Sequence, residues 1–503
     1  MTGSSAAPLA TEPVYLDYAA TTPVDPAVAE IMGRCLAEPA GLGNASSVTH
    51  LFGRRVAERI EQARAQVAAL IGAACGEVIF TSGATESNNL AVLGAARSNA
   101  HRGRHIVSSR IEHKAVLDPL QRLEKEGFSV TLLAPDRHGR VHPGTVAAAL
   151  RPDTVLASIM YVNNEIGVIQ DIAAIGAACR ARGVLFHSDA AQAAGKIPID
   201  VHALPVDFMS LTAHKLYGPK GVGALYVRAA ARALLQPIAF GGGQERGLRP
   251  GTLPTHQIIG FGAACELASG HLTAERALLG SLRERLWQGL ATLGGVHSNG
   301  EGALCVPGIL NVSFEGVEGE SLVTGLSELA VATGSACNSA SAEPSYVLRA
   351  LGRDTQLAQS SLRLSFGRFS RPQHIDTAVA AIRREVTRLR ALSPASEPRD
   401  GLGAAEVVGE AGGPGREAWV RFRLRVDKGV VKSALFKAYG CPHTLAIAAW
   451  ITERVRGRGR ADLAPGTPAE WAEALAVPVE KLGRLLVVED ALADCARHWP
   501  EPG

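Results

Sequence analysis

The sequence has little of what marks secreted, membrane or nucleic-acid-binding proteins. Its eight cysteines in 503 residues form no CxxC pair, which argues against a disulfide scaffold or a zinc ribbon. It contains no run of 18 apolar residues and no basic N-terminal signal segment, so we expect neither membrane insertion nor export. The 51 Lys and Arg residues nearly balance 48 Asp and Glu residues, which argues against nucleic acid as a direct partner. We therefore expect a cytoplasmic protein with reduced thiols.

The remaining composition is that of a folded protein, with 47% hydrophobic and 20% charged residues. Before residue 393, short apolar segments such as 77–82, 154–162 and 184–192 alternate with amphipathic ones. This alternation predicts a mostly parallel sheet with helices on both faces, an α/β fold. Ligands of such sheets bind beyond the carboxyl ends of the strands.

A change in composition divides the chain. Residues 393–416 are rich in Pro, Gly, Ala and Glu and contain no aromatic residue, which predicts a flexible linker. A linker of this length has a reach of roughly 25–30 Å. Residues 417–503 then form a separate tail.

Polar residues follow several of the predicted strands. Gly83, Ala84 and Thr85 lie between a strand and a helix, where free N–H groups and the helix dipole favour an anion such as phosphate. Asp189 ends an apolar strand, where a carboxylate needs a cationic partner. That partner is either an arginine or a protonated ring nitrogen of a ligand.

Lysine is scarce, and Lys215 directly follows the apolar segment FMSLT. A desolvated lysine has a lowered pKa and can form a Schiff base; the alternative is a lysine that extends from the core edge into solvent. A carboxylate for a pyridine nitrogen, an amine for an aldehyde and a phosphate-binding turn together are the components of a pyridoxal phosphate (PLP) site.

Two more residues are candidates for chemistry. Cys337, in TGSACNSAS, is flanked by small polar residues without apolar periodicity, which predicts an exposed loop and a nucleophilic thiol. Arg363 lies in the alternating segment SSLRLSFGR, where its guanidinium can hold a substrate carboxylate.

The segments YLDYAATTPVDP, FTSGATESNN, EHKAV, VNNEIG, HSDAAQ, TAHKLYGPKG, GGGQERGLRPGTLP, GSACNSAS and SSLRLSFGR follow in order. Together they resemble the IscS/NifS-type cysteine desulfurases. The resemblance implies the PLP-dependent transferase fold type I over 12–392, with a large domain over about 22–265 and a smaller α/β domain from 12–21 and 266–392. It further implies a homodimer that takes sulfur from L-cysteine, leaves L-alanine and holds the sulfur as a persulfide.

The resemblance also implies a role for each site residue. Lys215 would bind the PLP aldehyde, His113 would stack on the ring and assist proton transfer, and Cys337 would attack the substrate sulfur. Asp189 and Gln192 would contact the PLP ring. The phosphate would be bound by Ala84, Thr85, Thr212, His214 and the second subunit's Thr252. The substrate would be bound by Asn44, Asn164 and Arg363, and Asn164 would also contact the cofactor.

The loop of Cys337 resembles that of desulfurases which feed iron–sulfur scaffolds and tRNA thiolation. We therefore expect a scaffold and other sulfur acceptors as partners, with Cys337 as a candidate shared iron–sulfur ligand through a scaffold. Two departures from the family occur: Thr212-Ala213 replaces Ser-Gly, which restricts the backbone, and Ala45 replaces a proline after Asn44, which loosens that loop.

The tail resembles the C-terminal two-thirds of an IscU-type iron–sulfur scaffold, which predicts a small, degenerate α+β domain over 417–503. Of the scaffold's three cysteines only Cys441 remains. One thiol and the nearby His443 do not hold a cluster that needs about four ligands. Cys441 is therefore either a sulfur relay or a small buried core residue.

Three functions remain open at this point. The first is a cysteine desulfurase. The second is a regulatory protein whose tail covers the surface where a separate scaffold would dock. The third is another PLP enzyme of the same fold, an aminotransferase or a selenocysteine lyase, against which Cys337 and its loop argue.

Overall fold

The computed structural model describes residues 12–37, 41–333, 344–393, 406–413 and 417–500. These residues form a large sheet covered by helices, a smaller sheet, and a tail with a sheet of its own. None of the helices in these ranges is long and apolar enough to cross a membrane.

The large unit contains a seven-stranded sheet. In spatial order its strands are β2 (Val78–Thr81), β8 (Gly223–Val227), β7 (Phe208–Thr212), β6 (Leu185–Asp189), β5 (Thr154–Ser158), β3 (His105–Ser109) and β4 (Ser129–Leu133). Its helices are α1 (Pro26–Ala37), α2 (Leu51–Ile71), α3 (Ala84–Ser98), α4 (Lys114–Lys125), α5 (Pro143–Ala149), α6 (Ile172–Ala181) and α7 (Thr255–Ala291). Strand β8 is antiparallel to both neighbours and the other pairings are parallel, which confirms the predicted mostly parallel sheet.

Side chains of these strands alternate between two cores. Ile79 and Leu156 pack under α3 and α4, whereas Phe80 and Ala157 pack under α2, α6 and α7. Because both faces are buried, the strands appear in the sequence as nearly continuous apolar runs. This packing brings the carboxyl ends of the parallel strands to one edge of the sheet.

The smaller unit is built on the second half of α7. Phe261 of α7 packs in the large core and Leu286 packs in the smaller one, so the division expected at 265/266 falls inside one helix. The strands are β1 (Val14–Tyr15), β9 (Val296–Asn299), β10 (Ile309–Phe314), β11 (Leu329–Ala330), β12 (Ala332–Thr333) and β13 (Ser361–Ser365), and the helices are α8 (Gly319–Gly325), α9 (Tyr346–Ala350), α10 (Thr355–Gln359) and α11 (Pro372–Leu392).

The tail is an antiparallel three-stranded sheet covered by helices, as predicted for a small α+β domain. Its elements are β14 (Glu406–Gly413), β15 (Ala418–Asp427), β16 (Val430–Tyr439), α12 (Pro442–Arg454), α13 (Pro468–Ala474) and α14 (Leu482–Arg497).

The prediction of a linker over the whole of 393–416 is wrong for its second half, because β14 pairs with β15 along its full length. Val407 packs in the tail core. A Cβ at Gly409 would lie 2.2 Å from the backbone nitrogen of Cys495, so a glycine is required where α14 crosses the strand. The small residues that resemble linker composition therefore allow close packing.

The tail is seated on the smaller unit. Ser321 of α8 donates a hydrogen bond to the carbonyl of Gly440 at 2.8 Å, and Lys481 forms an ion pair with Glu320 at 2.7 Å. Leu445 packs against both the tail core and the smaller core. These contacts join the two parts through a partly apolar interface.

Candidate functional site

A polar cavity of about 530 Å³ lies beyond the carboxyl ends of β6 and β7. This is the position at which parallel sheets bind their ligands. The cavity brings together ten residues that the sequence singled out: Ala84, Thr85, His113, Asn164, Asp189, Gln192, Thr212, His214, Lys215 and Arg363.

One end of the cavity is suited to a phosphate. Gly83, the N-cap of α3, has φ 150°, a backbone conformation that favours glycine. A Cβ there would lie 3.8 Å from the hydroxyl oxygen of Thr212, which is buried and has no partner among the described residues. An unpartnered hydroxyl beside the N-terminus of a 15-residue helix provides donors for an anion.

The turn that carries Lys215 follows β7 directly. Its backbone is held by Thr22, whose N–H and hydroxyl both donate to the carbonyl of His214, at 2.9 and 3.1 Å. Burial, with Lys215 and Lys220 nearby, lowers the pKa of His214 to about 4. Ala213 is absent from the positive-φ residues among those described, so the Gly-to-Ala departure places no strain on this turn.

Asp189 lies at the end of β6 and is buried. Its Oδ1 accepts from the N–H of Ala191 at 2.9 Å and its Oδ2 accepts from Asn88 Nδ2 at 2.7 Å. A carboxylate has about four lone-pair positions, so Asp189 can also accept a hydrogen bond from a protonated ring nitrogen. The sequence interpretation missed Asn88, although its position one turn into α3 after the phosphate-binding turn gives a usable signal.

His113 is the N-cap of α4, and its Nδ1 accepts from the N–H of Ala115 at 3.1 Å. Burial lowers the pKa of His113, an effect that Asp189 opposes and Lys215 reinforces. A neutral imidazole whose Nδ1 accepts carries its proton on Nε2. His113 is thereby set to donate or exchange a proton at Nε2.

Arg363 and Asn164 lie at the mouth of the cavity nearest the smaller unit. Arg363 Nη1 donates to the carbonyl of Asn164 at 3.1 Å and Nη2 forms an ion pair with Asp17 at 2.7 Å. Arg363 Nε and Asn164 Oδ1 are buried without a partner among the described residues. These atoms are suited to the carboxylate and amine of an amino acid. Asp17, which orients the guanidinium, was missed by the sequence interpretation.

Some predicted residues lie elsewhere. Asn44 is exposed and its side chain accepts from the N–H of Ser46, and Thr252 is exposed outside this chain's cavity. Cys337, with its predicted roles as nucleophile and shared iron–sulfur ligand, lies outside the described residues.

Cys441 is 4% exposed at the N-terminus of α12, with its sulfur 3.5 Å from the hydroxyl of Thr444. This burial favours the interpretation of a small core residue over a sulfur relay. Within the described ranges no group of three or more His, Cys, Asp or Glu side chains could hold a metal ion.

The geometry fits PLP. The unpartnered Thr212 hydroxyl and the α3 N-terminus suit its phosphate, Asp189 suits its pyridine nitrogen, and Lys215 lines the same cavity. Binding of PLP requires a phosphate site, a partner for the ring nitrogen and a lysine in one cavity.

Comparisons with known proteins agree with this geometry. The aminotransferase class-V family matches residues 14–377, and the NifU-like N-terminal domain family matches residues 396–501. Cysteine desulfurase IscS of Pectobacterium atrosepticum is 55% identical over 382 residues, 76% of this chain and 95% of that protein. A solved NifS-like protein is 35% identical with a TM-score of 0.69, covering 75% of this chain and all of that one. The structure of SspA in complex with cysteine is 38% identical with a TM-score of 0.63, covering 70% and 98%.

Proposed function

The chain belongs to the aminotransferase class-V family, with a NifU-like N-terminal domain as its tail, and from this premise we propose how its residues perform a cysteine desulfurase reaction. The enzyme uses PLP and acts as a cysteine desulfurase. The observation that carries the assignment of roles is the single cavity shared by Asp189, Lys215, His113 and the α3 N-terminus.

Lys215 would supply the amine that binds the PLP aldehyde. Thr212, Ala84, Thr85 and His214 would hold the phosphate, and Asp189 would keep the ring nitrogen protonated. When bound, PLP supplies an electron sink for negative charge that develops on the substrate.

Arg363 and Asn164 would orient the carboxylate and amine of L-cysteine, and His113 would hold or move a proton at Nε2. The thiolate of Cys337 would attack the sulfur of L-cysteine. An S–S bond forms while the C–S bond breaks, and the electron pair of that bond stays with the carbon fragment. That fragment takes up a proton and leaves as L-alanine, and the sulfur remains on Cys337 as a persulfide.

The partner assignments are part of the same proposal. Phe240 is 86% exposed beside the glycine-rich turn at 241–243 that leads to Thr252, and a second copy of the chain would cover such a surface. Thr252 would then reach the partner's phosphate site. Iron–sulfur scaffolds and other acceptors would receive the sulfur, in a cytoplasmic compartment that keeps thiols reduced.

Borohydride reduction followed by peptide mapping tests the assignment of Lys215. We expect the reduced cofactor on Lys215 alone, and Lys215→Ala to lose both the covalent label and almost all alanine formation. Lys125→Ala, at an exposed lysine of α4, is the matched control. Label on any other lysine would refute the assignment.

A further inference from the structure

A second lysine lies directly behind the cofactor cavity. Lys196 is four residues after Gln192, and the backbone between them forms a turn in which the N–H of Lys196 donates to the carbonyl of Ala193 at 3.0 Å. Gly195 has φ 72°, and a Cβ there would lie 3.2 Å from the Cβ of Ala268 and 3.3 Å from that of Leu216. This tight turn brings the Lys196 side chain back towards Gln192.

The hydrogen bond between the side chains of Lys196 and Gln192 has a defined donor and acceptor. Lys196 Nζ donates to Gln192 Oε1, and Gln192 Nε2 donates to the carbonyl of Ala19 at 2.8 Å. The ammonium form of Lys196 can only donate, so in that form the amide oxygen faces Lys196 and the amide nitrogen faces away from it. Gln192, 3% exposed, lines the cofactor cavity with the second N–H of that nitrogen still available.

Lys196 occupies the opposite side of Gln192 from the cofactor. It lines a small separate cavity of about 30 Å³ together with Tyr18, Tyr217 and Glu275. Burial, together with the charges of Lys215 and Arg363, lowers the pKa of Lys196 to about 7, and the carboxylate of Glu275 opposes this shift. The Glu275 carboxylate accepts hydrogen bonds from the hydroxyl of Tyr217 at 2.6 Å and from Arg368 at 3.0 Å. These bonds fix the position of the carboxylate.

We propose that Lys196 is a positioning residue that fixes the orientation of the Gln192 amide, so that Gln192 presents an N–H donor rather than an oxygen to the ring oxygen of PLP. The inference rests on the proposed function, in which Gln192 contacts that ring oxygen. With Lys196 removed, the Ala19 carbonyl alone would hold the amide nitrogen. An amide that turned over would present its oxygen, and two acceptors would then face each other.

The test is a double-mutant cycle on the full-length chain with PLP as the probe. The variants are Lys196→Met, Gln192→Ala and the double variant, with Lys125→Met as the control on an exposed surface. Two quantities are measured: the Kd for PLP by equilibrium dialysis, and the pH midpoint of the visible absorption change of the bound cofactor.

We expect Lys196→Met to raise the Kd about tenfold, the effect of losing one hydrogen bond to a charged group. We also expect the absorption midpoint to move to higher pH, because an amide oxygen disfavours negative charge on the ring oxygen. In the Gln192→Ala background, Lys196→Met should change neither quantity further.

A Lys196→Met protein with the wild-type Kd and midpoint would overturn the inference, as would equal effects of Lys196→Met with and without Gln192. Lys196→Leu, a second apolar side chain that cannot donate, guards against a folding defect particular to methionine and is expected to show the same loss of coupling. Failure of the wild-type protein to bind PLP would instead refute the proposed function, so the two failures are distinguishable.

Discussion

Asn88 donates a hydrogen bond of 2.7 Å to Asp189, joining the first turn of α3 to the end of β6 inside the cofactor cavity. The amide holds the buried carboxylate in the orientation that a ring nitrogen needs. Asn88→Leu removes this donor and leaves a buried carboxylate oxygen without its partner. We therefore expect the Kd for PLP, measured by equilibrium dialysis, to rise about tenfold or more.

The control for this prediction is Asn89→Ala on the same helix, because the Asn89 side chain donates to the carbonyl of Thr85 one turn earlier, within α3. Equal PLP affinity in the Asn88→Leu and wild-type proteins would show that Asp189 needs no support from α3.

A substitution of Arg363 should weaken the binding of substrate without weakening the binding of the cofactor. Arg363 contacts the Asn164 carbonyl and Asp17 at once, and a lysine has too compact a head to keep both contacts and hold a carboxylate. Arg363→Lys should raise the KM for L-cysteine at least about tenfold while the Kd for PLP stays within about twofold of wild type. Steady-state alanine formation measures the first quantity, with exposed Arg371→Lys as control. A parallel loss of PLP affinity would place Arg363 in the cofactor site instead.

Glu112 should make the stability of the enzyme depend on pH. It is fully buried, and burial raises its pKa to about 8 despite hydrogen bonds from Met160 N–H and Ser109. Below the ordinary carboxyl pKa of about 4.5 both folded and unfolded chains hold the proton. As pH rises from there to about 8, the unfolded chain releases a proton that the folded chain keeps, so folding loses up to about 1.4 kcal/mol per pH unit.

Glu112→Gln mimics the protonated acid and removes this loss. The difference in melting temperature between the Glu112→Gln holoenzyme and the wild-type holoenzyme should therefore increase in favour of the variant from about pH 5 to about pH 8. Glu124→Gln, at an exposed carboxylate of α4, is the control. A difference in melting temperature that does not change with pH would mean that Glu112 is ionised in the folded protein.

The tail should influence sulfur delivery without Cys441. We expect deletion of 400–503 to leave PLP binding and alanine formation largely intact but to change sulfur transfer to an added scaffold, because the tail covers Ser321 and Glu320. Cys441→Ser should transfer sulfur like the full chain, since its thiol is buried.

Transfer of labelled sulfur from L-cysteine to the scaffold distinguishes the outcomes. Equal transfer by the full chain, the truncation and Cys441→Ser would mean that the tail has no part in delivery. Lower transfer by Cys441→Ser alone would make Cys441 a relay, and loss of PLP on truncation would make the tail structural.

Local sequence patterns predicted the sheet and half of the cavity residues. The other half, His113, Asn164, Gln192, Thr212 and His214, came from the family resemblance. A strand end followed by Asp189 or Lys215, and the turn at Gly83, can be read from a few neighbouring residues. Contacts between distant segments could not be read in this way: Asp17 reaches Arg363 over 346 residues and Asn88 reaches Asp189 over 101.

The start of the tail was misplaced for the same reason. Gly409 resembles a linker residue because its requirement, the backbone of Cys495 on α14, comes from the other end of the tail. Lys196 carries no local signal in the sequence, since its hydrogen bond to Gln192 depends on the tight turn at Gly195.

The most direct test of the account is to follow the sulfur atom itself. The holoenzyme is given isotopically labelled L-cysteine for a single turnover, and its peptides are mapped by mass spectrometry without reductant while alanine is quantified. The account predicts one labelled sulfur on Cys337, an equal amount of alanine, and neither product in Cys337→Ser. Labelled sulfur on another cysteine, or alanine release by Cys337→Ser at the wild-type rate, would contradict it.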